Sequence, residues 1–296
     1  MNKEKTEDKT GKGEKRREKG KGKNEKKKTG SGRYWLKPEE DFSRSGVVLA
    51  AERDRSKLSS RIVSNGLCHE SFFRRLEQGL VGCEKVLANA LLERMGVSPS
   101  RMLFYLNLWE EEYLLTREHW IRAIHEKNWM EAEYCQRQYQ EQTQCFHDLH
   151  RQFSLLIGTA YGWERYRNEE QPELKTLQKV WLKTLNQAWE ITKKGYLLIE
   201  EKKEKQPEQM TFQEVFIKSL YLRIREEVGT DPEVFHGYFQ VLRYLEQQVD
   251  ARDRLLLYPQ MVIRVLAVYY KIPSVRAEQE AETKELLENC LEFLKR

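Results

Sequence analysis

Three features of the sequence predict an all-α fold. From about residue 98 onward no stretch carries the alternating pattern of a strand, and apolar residues recur instead at helical spacing. Residues 58–96 hold short helical runs closed by Asn65-Gly66, Gly79 and Gly96, glycines standing where a helix turns or stops. The later runs are joined by short polar turns such as Glu126-Lys127-Asn128, Gly229-Thr230-Asp231-Pro232 and Ile272-Pro273. Short joints of that kind connect helices that lie side by side.

Taken in order, residues 1–33 are rich in Lys, Glu, Gly and Thr, with no aromatic and no large apolar residue after Met1. Such a segment buries too little surface to offset its ordering entropy, so it reads as a disordered basic tail. Its net charge is +8; the whole 296-residue chain is +5, which leaves −3 for residues 34–296. The basicity belongs to the tail, either as an arm that adds affinity for phosphates or as a solubilising tail or misplaced start. Tyr34-Trp35-Leu36 begins ordered structure and Pro38 marks a turn. Val47, Val48, Ala50 and Ala51 predict a first helix from Gly46 to about Arg53–Arg55, and Ser59 stands at the N-cap of a second. A third helix ends at Gln78 with Gly79 in the C′ position, and a fourth, over 84–95, carries Val86, Leu87, Ala90, Leu91 and Met95 on one stripe.

Beyond these, helices are predicted over 101–126, 129–145, 147–167, 174–202, 211–227, 231–247, 251–256, 258–271 and 275–295. Large residues set near alanines (Trp129 with Ala132, Trp181 with Ala188) suggest a tetratricopeptide-like α-solenoid over 101–296. The strict repeat consensus is absent, and a generic helical bundle is the alternative.

Residues 66–79 meet the demands of a helix-turn-helix position by position. Gly66 permits the turn, Leu67 and Cys68 fill the space between the helices, and Phe73 with Leu76 anchors the second helix. His69, Glu70 and Arg74 then face outward, Arg75 is placed to reach a phosphate or a guanine edge, and Glu77 and Gln78 cap or bridge to a neighbour. A helix so presented has the shape that enters a DNA major groove.

These residues resemble the helix-turn-helix of the Cro-like (XRE) bacterial regulators. They are most similar to a Gram-positive group with a glycine-leucine-cysteine turn, an "RIE-x-G" helix end and a following "LL-x-x-LL-x-RLG-x-S". The corresponding residues are Gly66-Leu67-Cys68, Arg75-Leu76-Glu77, Gly79, and Leu91-Leu92-Glu93-Arg94-Met95-Gly96-Val97-Ser98. The likeness extends through residues 104–113, residues 128–133 and Leu257-Tyr258-Pro259-Gln260, covering about 46–296. It implies a helix-turn-helix domain over 34–100 and a tetratricopeptide-like region over 101–296 that senses a signal, with a short peptide as ligand, and dimerises. Dimerisation has an independent reason, since one small module binds a site weakly. The chain departs from the group at His69, which replaces a small N-cap residue and is expected to cap poorly. It departs again at Phe72 and Arg74 on the DNA-facing side and at Ser60, where a phosphate-contacting Gln is usual.

Other patterns carry less. His147-Asp148-Leu149-His150 has metal-ligand spacing but no third ligand, and reads as a solvated or hydrogen-bonded pair. The five cysteines (Cys68, Cys83, Cys135, Cys145, Cys290) include no CxxC pair and read as reduced, mostly buried thiols. The aromatics Tyr134, Tyr139, Phe146, Phe153, Tyr161, Trp163, Tyr166, Trp181 and Trp189 are expected mostly in the core. The charged runs at 110–112 and 200–205 read as solvated helix faces. No phosphate-binding glycine loop or catalytic constellation is present, so neither enzyme activity nor a cofactor is expected. No run approaches the roughly 18 apolar residues of a membrane span, and no apolar leader follows the start. The expectation is a cytoplasmic, non-membrane protein.

The functional expectation is a sequence-specific DNA-binding transcriptional regulator, with Ser59, Ser60 and Arg61 on the phosphate backbone, His69, Glu70, Phe72 and Arg74 toward bases, Arg75 on either, and Ser71 within the same DNA-binding face. Its partners would be DNA, a peptide ligand and a second copy in a homodimer. The competing class is a helical interaction scaffold whose helix-turn-helix is degenerate and binds no DNA.

Overall fold

The computed structural model describes residues 43–99, 108–143, 147–167, 174–201, 210–229, 232–248 and 251–295. The basic tail, Tyr34-Trp35-Leu36, the start of the helix expected at 101 and Cys145 with Phe146 lie outside the described residues. Among the described residues there are thirteen helices and no strand, an all-α chain. Four short helices come first: α1 (Ser43–Arg55), α2 (Ser60–Ser64), α3 (Glu70–Glu77) and α4 (Lys85–Arg94). Longer ones follow as α5 (Leu108–His125), α6 (Trp129–Thr143), α7 (Asp148–Tyr166), α8 (Leu174–Glu201), α9 (Phe212–Val228) and α10 (Pro232–Gln248). The chain continues with α11 (Ala251–Lys271), α12 (Pro273–Glu278) and α13 (Glu280–Lys295).

Helix ends follow local chemistry. Gly79 at φ 68° closes α3, its N–H donating to the Leu76 carbonyl while Leu80 N–H reaches the Arg75 carbonyl. Gly96 at φ 75° ends α4 with the same paired bonds, to Glu93 and Leu92. Both are six-to-one and five-to-two closures that satisfy orphan carbonyls. Thr211 and Glu214 form a reciprocal capping box at the start of α9, as a Thr-x-x-Glu spacing allows.

Two boundaries differ from the sequence reading. Helix α11 runs unbroken through Pro259, where a break was expected after residue 256. The ring removes one helical hydrogen bond, a cost of about 3 kcal/mol. Burial of Tyr258, Val262, Val265 and Val268 on the same helix offsets it at about 1.5–3 kcal/mol per large side chain. The final helix is likewise two: Pro273 starts α12 in the first turn, and the chain bends at Gln279 before α13.

Consecutive helices pack in sequence, α5 on α6, α7 on α8, α8 on α9, α9 on α10 and α10 on α11, with α7 also touching α9. The expected boundary near residue 100 is no gap in the packing. One apolar core runs from Leu49 and Phe73 through Leu91 to Tyr113, Trp120, Tyr139 and Phe153. A second joins α7, α8 and α9 around Trp163, Trp181 and Ile224, and a third fills α9 to α13 around Phe235, Leu242 and Val265. Tyr139, Phe153, Trp163 and Trp181 are core as expected; Tyr161, Tyr166 and Trp189 pack partly buried against it, and Tyr134 is half exposed. No helix among the described residues is long and apolar enough to cross a membrane.

Candidate nucleic-acid interface

Helix α2 begins where Ser59 accepts the Ile62 N–H at 3.3 Å. Its last turn passes into the linker as Leu67 and Cys68 N–H both donate to the Ser64 carbonyl, at 2.9 and 2.8 Å. Gly66, at φ 75°, takes the left-handed conformation that redirects the chain into α3. Val63 and Leu67 fill the angle between the helices, and Phe73 and Leu76 are fully buried beneath α3.

Helix α1 fixes α3 from behind. A Cβ at Gly46 would stand 2.2 Å from the Leu76 carbonyl oxygen, so only glycine allows this approach. Glu77, at the end of α3, accepts from Arg53 of α1 at 2.5 Å and from the Ser60 hydroxyl of α2 at 3.4 Å. The expected bridging role of Glu77 thus joins all three helices at one carboxylate. It also turns Ser60, expected on a phosphate, toward the protein.

The outward face of α3 carries His69, Ser71, Arg74, Arg75 and Gln78, all exposed, with Ser59 and Arg61 exposed on α2. His69 was expected to cap poorly, yet it is the N-cap of α3. Its Nδ1 accepts the Ser71 N–H at 3.3 Å and lies 2.7 Å from the Ser71 hydroxyl. With Nδ1 accepting, the neutral ring carries its proton on Nε2, a donor at the start of the helix. Arg74 pairs with Glu70 one turn earlier at 2.6 Å. An exposed pair at that spacing is worth only about 0.3–0.5 kcal/mol and exchanges readily for another anion.

Phe72 is the clear correction. It was expected to face DNA, but it is buried with Phe73 in the core shared by α1 to α7. Two consecutive phenylalanines cover a 100° arc of the helix, and both fall within the wide apolar stripe of a core-facing helix.

Behind this surface, charged groups that looked solvated in the sequence lie inside. Glu110, from the run read as a solvated face, is buried and accepts the Lys85 N–H at 2.7 Å, capping α4 from α5. Glu84, at the start of α4, meets His150 Nε2 of α7 at 2.8 Å, and His150 Nδ1 meets the Tyr139 hydroxyl of α6 at 2.7 Å. Burial pushes Glu84 up to about 7 and His150 down to about 3. When Glu84 is charged, Nε2–H donates to it and Tyr139 donates to Nδ1; when Glu84 is protonated, both bonds reverse. His147 caps α7 by accepting the Leu149 N–H at 2.8 Å, and burial holds it down to about 3. The HxxH pair is therefore hydrogen-bonded but not solvated. No group of three metal-ligating side chains occurs among the described residues.

At the other end of α4, Arg94 is fully buried and reaches Glu214 of α9 at 3.2 Å. Glu93 beside it accepts the Phe212 N–H at 2.8 Å, and burial lifts its carboxyl to about 7. A charged residue among Leu91, Leu92 and Met95 was the sequence signal for this contact. Helix α2 in turn packs on α8. The helices that would hold DNA are therefore seated directly on the longer helices behind them.

Those longer helices line a partly open cavity of about 240 Å³ between α7, α9, α10 and α11. Its walls include Leu156, Ile157, Val215, Leu220, Val241 and Met261. Arg223 and Phe216 also line it, and no Asn does. Comparison with known protein families, curated proteins and solved structures finds no match to this chain.

Proposed function

We propose that this protein is a cytoplasmic, sequence-specific DNA-binding transcriptional regulator that acts by binding and not by catalysis. Helix α3 enters the major groove, and α2 rests on the phosphate backbone. The observation that carries the reading is the pairing of a fixed helix with an open face. Gly46, Arg53 and Glu77 hold α3 from one side, while His69, Ser71, Arg74 and Arg75 stand exposed on the other.

Within this reading His69 Nε2 and Arg74 contact base edges, and Arg75, Ser59 and Arg61 hold phosphates or sugar. Glu70 releases Arg74 to the DNA and reads a cytosine amino group or nothing. Phe72 and Ser60 position the helices from inside. The longer helices receive a signal, for which the family resemblance implies a peptide, and a second copy supplies the second half-site.

One observation favours the competing reading of an interaction scaffold. Among the nine expected DNA-facing residues, Phe72 lies in the core, Ser60 meets Glu77, Arg74 pairs with Glu70, His69 meets Ser71 and Ser59 caps α2. Selection of duplex DNA from a random pool separates the two. A regulator enriches one sequence, and Arg74→Ala with Arg75→Ala abolishes the enrichment; a scaffold enriches none.

A further inference from the structure

The cavity between α7, α9, α10 and α11 deepens the reading of the longer helices as the receiving half, on which it rests. We propose that it binds a small amphiphile, a medium-chain alkyl carboxylate, with the chain in the cavity and the carboxylate on Arg223.

The apolar part follows from the lining. Most of the lining is apolar, Phe216 among it, and the polar exceptions are Ser219, Arg223 and Gln260. Ser219 is already committed, its hydroxyl donating to the Val215 carbonyl at 2.7 Å. A peptide laid in such a cavity would lose the hydration of its amides without replacement, at about 1–3 kcal/mol for each unsatisfied group. A hydrocarbon chain loses nothing there. The volume of about 240 Å³ holds roughly eight water-sized groups at about 30 Å³ each. That is the size of an octyl chain.

The anionic end follows from the charges around Arg223. Among the described residues its ion pair is with Glu164 at 3.7 Å, and Glu164 also holds Arg167, at 3.0 Å. Glu227 also feels the Arg223 charge, after that of Arg167 and with that of Arg264, and no hydrogen bond joins it to Arg223 among the described contacts; Glu226 beside it is occupied by Lys271 at 3.0 Å, by the Tyr238 hydroxyl at 3.1 Å and by Arg264 at 3.5 Å. Burial, with Arg264 and Arg167 nearby, lowers the Arg223 pKa against the raising effect of Glu164. A guanidinium crowded by like charge and weakly paired is a place where one more carboxylate is stabilising, through a charge-assisted, two-pronged hydrogen bond.

The test is calorimetric titration of the full chain, without DNA, with sodium octanoate, sodium butanoate, octanol and a blocked apolar tetrapeptide. Octanoate should bind one to one and at least tenfold tighter than butanoate or octanol. Arg223→Gln should erase the preference for octanoate over octanol, and Arg223→Lys should keep it. Ala160→Phe, which fills the cavity from α7, should abolish binding of both, with thermal melting to verify that each variant folds. The proposal is overturned if octanoate gives no saturable heat, if octanol binds as tightly, if Arg223→Gln leaves the preference intact, or if the tetrapeptide binds tighter. Because no DNA is present, failure here leaves the assignment of α3 standing, and failure of DNA selection leaves this result standing.

Discussion

Replacing Arg94 by Met tests whether the short helices and the longer ones form one cooperative structure. Arg94 and Glu214 are both almost fully buried, and their contact at 3.2 Å spans α4 and α9. Removing the guanidinium leaves the Glu214 carboxylate inside without its cation, although it still accepts the Thr211 N–H at 2.6 Å. Breaking a buried pair from one side costs about 3–5 kcal/mol. For a chain of this size, at roughly 2 °C per kcal/mol, Tm should fall by about 6–10 °C. Glu214→Gln should also destabilise, while the double variant should cost well under the sum, because Gln keeps the cap and no charge is stranded. Scanning calorimetry of the four proteins reads all of this, and each should melt in a single transition. Additive effects within about 0.5 kcal/mol, or a separate transition for the longer helices, would refute the shared structure.

Two further outcomes follow from the buried groups. Glu84 has a folded pKa of about 7, above its unfolded value, so the folded chain holds a proton there that the unfolded chain releases. That contribution is complete below about pH 4.5 and is lost as pH rises toward 7. His147 and His150, with folded values near 3, act oppositely: their contribution is complete above about pH 6.5 and is lost as pH falls toward 3. Tm measured from pH 4 to 8 should therefore decline less on the rising side in Glu84→Gln than in the parent, and an unchanged profile would show that Glu84 is not proton-coupled. Gly46→Ala should lower Tm by about 2–6 °C, since overpacking by one carbon costs about 1–3 kcal/mol where the Leu76 carbonyl leaves 2.2 Å. A shift under 1 °C would mean that α1 does not fix α3 by close contact.

How much of this was legible in the sequence depends on the range of the interaction. Glycines and caps act within a few residues, so Ser59, Gly66, Gly79 and Gly96 marked their turns correctly. Phe73 and Leu76 were placed inward by helical period alone. Phe72 lies inside because one helix face borders another, and only the packing of α1 and α2 on α3 shows how wide the buried arc is. Glu110, Arg94 and His150 were unreadable for a different reason. Their partners lie 25, 120 and 66 residues away, and a carboxylate looks the same on a solvated face as beneath a helix end. His69 capped α3 through a ring nitrogen where an oxygen is usual, a substitution that residue preferences rank low. The break expected after residue 256 is absent because tertiary burial along α11, which local propensity does not register, carries the helix on through Pro259.

The central claim is that α3 reads DNA sequence, and selection of duplexes from a random pool by the full chain tests it most directly. The account predicts enrichment of one motif, its loss in the variant carrying Arg74→Ala and Arg75→Ala, and retention of the parent's Tm in that variant because both side chains are exposed. A pool that stays unenriched, or a motif that survives loss of both arginines, would contradict it.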